Sequence, residues 1–164
     1  MKAADLVLTP RGLRFMGRVF PVAIGRGGVS GRKREGDGAT PRGTHRIVGM
    51  LYRPDRMARP ADWALPIRLG DLWSDDVTDP DYNMMVRAPH GFGHEVLRRA
   101  DPLYDLVILT DWNWPYAVKG RGSAIFLHQW RKPRHPTAGC LAFRRDDLRW
   151  IARRIRHDSR VVIA

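Results

Sequence analysis

The single cysteine of the chain, Cys140, lies in the run Thr-Ala-Gly-Cys-Leu at residues 137–141. A glycine in front of a thiol lets the backbone approach a substrate closely or adopt a positive φ angle. With Gly139 in that place, backbone N–H groups near Cys140 can converge on the oxyanion of a tetrahedral intermediate. A free thiol has a pKa of about 8.5 and needs a nearby base to react at neutral pH. The run therefore indicates that Cys140 is a nucleophile, provided that the fold brings a histidine close to its thiol.

Two histidines are candidates for that base. His128 ends the apolar run at residues 123–128, where a strand would leave the core, and the loop that follows returns to Cys140. A base at a strand end and a thiol on the return loop are consistent with a Cys–His pair. His135 is nearer to Cys140 in sequence, and spacing does not exclude it. The alternatives are a histidine that is only a polar strand terminus and a cysteine buried as a small apolar residue.

These residues resemble a family signature. His128, a loop and then Thr137-x-Gly139-Cys140 resemble the motif of the L,D-transpeptidase catalytic domain (YkuD-like). The Thr-Pro-Arg-Gly run at residues 40–43 is similar to that family's upstream Thr-Pro-x-Gly segment. The similarity runs from about residue 19 to residue 148, and the chain further resembles a compact branch of the family without an evident signal peptide.

The resemblance implies a fold and a mechanism. The fold would be mainly β with one or two helices, a β-sandwich or barrel-like domain, with residues 1–164 forming one domain. Cys140 would attack a stem-peptide carbonyl of peptidoglycan, His128 would carry the proton, and Gly139 and Cys140 would offer backbone N–H groups to the oxyanion. An amine of a second stem would then resolve the thioester. The partners would be stem peptides and glycan strands, with no cofactor.

Two positions depart from the family pattern. The family usually has an arginine two residues after the cysteine, where this chain has Ala142, and often a glycine after the histidine, where it has Gln129. Pro133 and Pro136 stiffen the loop before the thiol through their fixed φ angles. These differences lie on the side of the predicted active site that would bind the acyl donor. We therefore favour a link from the first-residue L-alanine of one stem to the third-position diaminopimelate of another, the bond associated with the compact branch, over the family's usual link between two third residues.

Four further side chains are expected to bind the substrate. Thr137 lies beside the nucleophile, and Trp130 is expected to narrow the cleft and pack against a stem. His94 is expected to support the cleft, together with its neighbour Glu95. Tyr82 is an aromatic residue in a proline-rich stretch, and its alternative role is to anchor that stretch to the core.

A metal site is a weaker alternative. The run Pro-His-Gly-Phe-Gly-His-Glu at residues 89–95 offers His90, His94 and Glu95 as ligands. Zinc hydrolases place such ligands on a helix, and Gly91 and Gly93 oppose a helix here. We therefore expect no metal.

Short strands divided by glycine and proline must position these groups. Apolar runs predict strands at residues 6–8, 13–16, 19–24, 46–52, 104–110, 123–128 and 161–163. One helix is predicted near the end of the chain, because Leu148, Ile151, Ala152 and Ile155 follow helical spacing. Residues 25–43 predict an exposed loop, and residues 53–103 predict short strands, turns and a long loop.

Composition and net charge limit the classes of binding partner. A length of 164 residues fits one domain. The net charge of +12 indicates an anionic partner or surface. Because the basic residues are mixed with acids and no nucleic-acid motif is present, we expect an acidic cell envelope and no nucleic acid. The alternatives are a cysteine peptidase or amidase that trims stems, and a non-enzymatic basic module that binds nucleic acid or an anionic glycan.

The location follows from the substrate. Peptidoglycan lies outside the cytoplasmic membrane, so a periplasmic or envelope location is expected. The first eight residues lack the apolar core of a signal peptide. No stretch reaches the roughly 20 apolar residues that a membrane span needs.

Overall fold

The computed structural model describes residues 4–164, and β-strands form most of its regular structure. Residues 1–3, which begin the segment expected to lack a signal peptide, lie outside the described residues. The strands within the described part are β1 (Leu6–Thr9), β2 (Gly12–Phe15), β3 (Arg18–Phe20), β4 (Val22–Ala23), β5 (Val29–Ser30), β6 (Thr40–Pro41), β7 (Gly43–Tyr52), β8 (Leu65–Pro66), β9 (Asp71–Ser74), β10 (Met85–Arg87), β11 (His94–Val96), β12 (Leu106–Thr110), β13 (Phe126–Gln129), β14 (Leu141–Phe143) and β15 (Arg160–Ile163). The helix α1 spans Arg145–Ala152.

One large sheet organises the chain. Its ten strands follow the order β3-β2-β1-β15-β7-β12-β13-β14-β4, with β8 paired to β7 beside this path. The two strands at the ends of the order, β3 and β4, are consecutive in the chain and joined only by Pro21. The sheet must therefore curl until its two edges come near each other. The result is a nearly closed, barrel-like sheet, which confirms the mainly β fold expected from the sequence.

Strands β13 and β14 are buried on both faces. Leu127 and Leu141 pack into a large apolar cluster together with the helix, and we call this side the helix face. Phe126 and Cys140 pack into a second cluster on the opposite face. Side chains alternate between the two faces of a strand, so adjacent residues serve different clusters. Burial on both faces explains why the sequences of these strands are nearly continuous runs of apolar residues.

Helix α1 covers part of the helix face. Asp146 and Asp147 lie in its first turn, where carboxylates interact favourably with the helix dipole. Its buried side chains are those at the predicted helical spacing, Leu148, Ile151 and Ala152. Ile155, predicted on the same stripe, lies beyond the end of the helix and is also buried. Among the described residues no helix is long and apolar enough to cross a membrane.

The proline-rich part of the chain forms a small sheet of its own. Strands β10, β9 and β11 pair in that order, and all contacts between them are antiparallel. Trp73 and Tyr82 are 5% and 2% exposed, so they anchor this part to the interior. The short strands predicted for residues 53–103 are present. One of them, β11, contributes Glu95 to the lining of a cavity.

The prediction of an exposed loop at residues 25–43 is wrong for part of that range. Strands β5 and β6 pair in parallel there, and Thr40 is fully buried. Lys33 is also buried, and its Nζ donates to Asp37 Oδ1 at 2.5 Å. Burial is possible because the buried polar side chains have hydrogen-bond partners: Lys33 bonds within the segment, and Thr40 bonds to Gly25 and Gly139.

Candidate active site

Two paired strands bring Cys140 and His128 to the same cavity. Strands β13 and β14 run in parallel with His128 opposite Ala142, and Cys140 precedes β14. Since Cys140 and Ala142 are two residues apart, Cys140 faces the same side as His128. Both side chains line a cavity of about 340 Å³ on the face opposite the helix. The sequence placed these groups at a strand end and on the return loop, and the structure brings them together.

The thiol of Cys140 is held against the start of β13. Its Sγ donates to the carbonyl oxygen of Ala124 at 2.9 Å and accepts the backbone N–H of Phe126 at 3.4 Å. Burial raises the pKa of the Cys140 thiol to about 12, and the negative charge of Glu95 acts in the same direction. The Phe126 N–H and the charge of Lys33 lower this pKa and offset part of the rise. At neutral pH the resting nucleophile is therefore a protonated thiol.

The imidazole of His128 is fixed in one tautomer. Its Nδ1 lies 2.7 Å from the carbonyl oxygen of Gln129, which can only accept, so Nδ1 carries the hydrogen and Nε2 remains an acceptor. The ring packs edge-to-face on Tyr104 with centroids 5.4 Å apart. Burial lowers the pKa of His128 to about 4, so the ring is neutral at pH 7. His135 lines the same cavity but is exposed.

Thr137 shapes the loop that carries the thiol. Its Oγ1 donates to the carbonyl oxygen of Cys140 at 2.7 Å and accepts the N–H of Gly139 at 3.1 Å. Its backbone N–H donates to Ile24 at 2.9 Å, and its carbonyl accepts the N–H of Arg26 at 2.9 Å. The loop is therefore tied both to itself and to the segment after β4. The Gly139 N–H, expected as an oxyanion donor, is bonded to Thr137 in this conformation.

A second threonine links the upstream motif to the same loop. The Oγ1 of Thr40 donates to the carbonyl oxygen of Gly139 at 2.8 Å and accepts the N–H of Gly25 at 2.9 Å. Gly139 has a φ of 147°, and a Cβ there would lie 2.8 Å from the carbonyl oxygen of Ala39. Only glycine permits this approach. The two motifs that stand far apart in the sequence thus form one structural unit around the nucleophile.

Asn83 positions the residue that holds the thiol. Ala124 has a φ of 51°, which is unusual for a residue with a side chain. Asn83 Oδ1 accepts the Ala124 N–H and the Trp73 indole N–H, both at 3.0 Å. Its Nδ2 donates to the carbonyl oxygens of Trp112 and Asn113 at 3.1 and 2.8 Å. The amide thereby uses its donors and acceptors fully. Sequence reasoning missed this residue because its partners are distant in the chain.

Of the four predicted substrate-binding residues, Thr137 alone lines the cavity. Trp130 is half-buried and His94 is exposed, and both lie outside the lining. Tyr82 is buried, and its hydroxyl donates to a carboxylate oxygen of Glu35, which suits the anchoring role. Substrate contact by Trp130, His94 and Tyr82 stays a prediction.

The histidines of the 89–95 run have other partners. His90 Nε2 lies 2.7 Å from Asp79 Oδ2, and His94 Nδ1 lies 2.7 Å from the carbonyl oxygen of Phe92. Within residues 4–164 no three His, Cys, Asp or Glu side chains are grouped to hold a metal ion.

Three arginines line the cavity. They are Arg26, Arg99 and Arg131. Arg99 is paired with Asp101 at 2.6 Å. Arg26 and Arg131 form no ion pair with any residue in the part of the chain that the structure describes. The sequence showed basic residues spread along the chain, and the fold collects these three at one site, which favours an anionic ligand.

The fold and the site together define a class of protein: a β-rich domain that presents a thiol and a neutral imidazole from neighbouring parallel strands, as in cysteine acyl transfer. A family model of the L,D-transpeptidase catalytic domain (YkuD) matches residues 8–163. The chain belongs to this family. No curated protein and no solved structure gave a match in the corresponding comparisons.

Proposed function

We propose that the protein is a peptidoglycan transpeptidase in which Cys140 is the nucleophile and His128 carries the proton. The observation that supports this most strongly is that both side chains line one cavity from the same face of two paired strands. The match to the L,D-transpeptidase catalytic domain gives the reaction class. The neutral state of both groups suits a mechanism in which proton transfer accompanies attack.

In the acylation step, Nε2 of His128 accepts the proton of Cys140 Sγ as the sulfur attacks the carbonyl of the donor stem. Ionisation of the buried thiol alone is unfavourable, because burial raises its pKa to about 12. Transfer of the proton to a positioned base during attack avoids a free thiolate. The imidazolium then protonates the leaving amine, and the thioester on Cys140 remains. The Gln129 carbonyl holds Nδ1 throughout, so the ring stays in its productive tautomer.

The oxyanion of the tetrahedral intermediate is assigned to backbone N–H groups at Gly139 and Cys140. Thr137 fixes the loop that carries both groups through its bonds to the Gly139 N–H and the Cys140 carbonyl. Because the Gly139 N–H is already bonded to Thr137 Oγ1, it would have to be shared with an oxyanion or released to it. The oxyanion site therefore depends on Thr137 as much as on Gly139.

The donor is assigned to an anionic stem peptide of the cell envelope. Stem peptides carry carboxylates, and unpaired guanidinium groups bind carboxylates well. Arg26 and Arg131 place two guanidinium groups in the cavity lining, and the charge of Arg131 also acts on Asp101. An envelope location, periplasmic where an outer membrane exists, follows from this substrate.

The bond formed is proposed to join the first-residue L-alanine of one stem to the third-position diaminopimelate of another. Ala142 lines the cavity opposite His128, where the family usually has an arginine. A methyl group there cannot hold a donor carboxylate, so a donor that differs from the usual one is favoured.

Purified protein incubated with disaccharide-peptides of defined length tests the proposal. The crosslinked products are sequenced by tandem mass spectrometry, with and without an added amine acceptor. Dimers linked from L-alanine to diaminopimelate are expected. Dimers joined only through their third residues would overturn the specificity and leave transpeptidation in place. Hydrolysed stems alone, even with the amine present, would replace the transferase by a peptidase.

A further inference from the structure

Glu95 brings a carboxylate into the cavity that contains Cys140 and His128. It is the middle residue of β11, between the exposed residues His94 and Val96, and it is itself half-buried. Because side chains alternate along a strand, Glu95 faces inward while its neighbours face solvent. Its Oε2 accepts a hydrogen bond from the Tyr104 hydroxyl. Its Oε1 forms no hydrogen bond with any residue among 4–164.

A carboxylate at this place opposes the first half of the reaction. Burial and then Glu95 raise the pKa of the Cys140 thiol, so Glu95 disfavours the thiolate. Glu95 is itself disfavoured as an anion, because burial, Asp75 and Glu35 raise its pKa, while Tyr104 and Arg99 lower it. A site that served thiol activation alone would gain from a neutral residue here. The carboxylate is therefore better explained by a later step.

The charge pattern of the cavity points to that step. Among the described residues that line it, Glu95 is the one carboxylate, whereas Arg26, Arg99 and Arg131 are cations. A cationic ligand in the cavity is repelled by the arginines and attracted by Glu95, with Asp75 and Glu35 adding negative charge nearby. In transpeptidation the ligand with a positive charge is the acyl acceptor, whose primary amine is an ammonium group near neutral pH.

We propose that Glu95 is the acceptor residue of this cavity: it binds the ammonium group of the acyl acceptor beside the Cys140 thioester and takes one of its protons. The inference rests on the proposed function, and it assigns the second substrate of the same site. Once Cys140 is acylated, the sulfur carries no charge, so Glu95 no longer opposes the reaction.

The ammonium gives one proton to the Glu95 carboxylate and becomes a neutral amine. The nitrogen lone pair attacks the thioester carbonyl, the C–N bond forms, and the C–S bond breaks. The second proton passes from nitrogen through His128 Nε2 to the departing Cys140 sulfur. Glu95 then releases its proton to solvent. The products are the amide, the free thiol and one proton.

The variant Glu95→Gln tests this with little change of shape. The glutamine side-chain oxygen can still accept from the Tyr104 hydroxyl, so the fold should persist, and a thermal melt checks it. Asp62→Asn is the matched control, because it removes one carboxylate from an exposed position outside the cavity. Each protein is given a disaccharide-peptide donor and a diaminopimelate-containing disaccharide-peptide acceptor. Intact mass measures acylation of Cys140, and product analysis measures the ratio of amide to hydrolysed donor.

We expect Glu95→Gln to acylate at least as fast as the unchanged chain and to lose tenfold or more in the ratio of amide to hydrolysed product. Asp62→Asn should keep the original ratio. The loss should shrink as the pH rises toward the acceptor amine pKa, about 10.4 for a lysine-like amine, because a neutral amine needs no proton removed. The titratable and charged groups that interact with Glu95 in the folded protein are Tyr104, Arg99, Asp75, Glu35 and Cys140.

An unchanged product ratio in Glu95→Gln, with acylation intact, would overturn the acceptor assignment and leave the proposed function standing. Slower acylation with an unchanged ratio would overturn it as well and move Glu95 to the donor step. If the unchanged chain forms no acyl-enzyme at all, the proposed function fails, and the acceptor assignment fails with it.

Discussion

The two faces of strands β13 and β14 differ in what they bury. On the helix face, Leu127 and Leu141 join a large cluster of apolar side chains, including those of α1. On the opposite face, Phe126 and Cys140 lie in a smaller cluster. That cluster is close to buried polar groups such as His128 and Asn83. The same two strands therefore build a stabilising core on one side and a chemical site on the other.

The two faces differ in what their buried side chains require: close packing on the helix face and hydrogen-bond partners on the opposite face. An apolar side chain needs only close packing, so the helix face tolerates any well-fitting hydrophobic residue. A buried polar group needs a specific partner, since one left unpaired costs about 1–3 kcal/mol. His128 uses the Gln129 carbonyl, and Asn83 uses four groups from three parts of the chain. Changes on the helix face should therefore alter stability and leave the chemistry intact, whereas changes on the opposite face should alter chemistry, with or without a change in stability.

The largest effect is expected from the base on the opposite face. His128→Ala should lower turnover by about 10²–10⁴-fold, because it removes the base that is proposed to take the Cys140 proton during attack. His135→Ala, the matched control in the same cavity, should lower it by less than about tenfold, since that side chain is exposed. Turnover with a disaccharide-peptide donor and amine acceptor measures both. The opposite ranking would assign the base to His135.

The helix face is tested by Leu127→Ala. Leu127 is fully buried in the apolar cluster, so truncation should lower the free energy of unfolding by about 2–5 kcal/mol. Turnover per folded molecule should stay near its original value. Leu69, which is 80% exposed, gives the control Leu69→Ala with little change in stability. Chemical denaturation measures both variants. Full stability with lost turnover in Leu127→Ala would contradict the division between the two faces.

Acid should destabilise the opposite face through His128. Burial lowers its pKa in the folded state to about 4 from an ordinary value of 6.5. Between these values the unfolded chain binds a proton that the folded chain does not, so stability falls as the pH drops from 6.5 to 4, by about 3 kcal/mol from this group. His128→Asn should remove the contribution of His128 to the pH dependence of the free energy of unfolding. The buried His45, whose pKa is also lowered, remains in both proteins and cancels. Equal slopes for the two proteins would show that His128 is not buried as a neutral ring.

The smallest effect is expected at the glycine next to the thiol. Gly139→Ala would put a Cβ 2.8 Å from the carbonyl oxygen of Ala39 at a φ of 147°. The strain should cost about 1–3 kcal/mol and displace the loop that Thr40 and Thr137 hold. Gly31→Ala is the control, because a Cβ there meets no atom within 4 Å. Thermal unfolding and turnover are compared for both. A Gly139→Ala variant as stable and active as Gly31→Ala would show that the loop does not need this close approach.

Local signals in the sequence predicted His128, Thr137 and Cys140, which the structure places in the lining of one cavity. The apolar run that ends at His128, and the glycine before Cys140, are short-range patterns that predict a strand end and a tight loop. The helix was predicted from the spacing of its buried residues, because helical periodicity extends over several turns. These features depend on neighbours in the chain, so the chain itself carries the signal.

Long-range partners could not be predicted in the same way. Thr40 bonds to Gly139 across 99 positions, and Asn83 bonds to Ala124 across 41. Neither partner leaves a local mark, which is why residues 25–43 were wrongly predicted to be exposed throughout. The two- and three-residue strands within residues 53–103 are defined by pairing rather than by their own composition. The sequence offered Glu95 as a possible metal ligand or as a neighbour of His94 in the cleft, and the structure places it in the lining of the cavity instead.

The central claim is that a covalent thioester forms on Cys140. The unchanged chain and Cys140→Ala are each incubated with a disaccharide-peptide donor, once without acceptor to trap the acyl-enzyme and once with an amine acceptor to measure transfer, and quenched with acid. Intact mass and tandem mass spectrometry then locate any adduct. We predict an adduct of the acyl-donor mass on Cys140 in the unchanged chain, and no adduct and no transfer in a folded Cys140→Ala. Transfer by Cys140→Ala at a rate near that of the unchanged chain would contradict the mechanism.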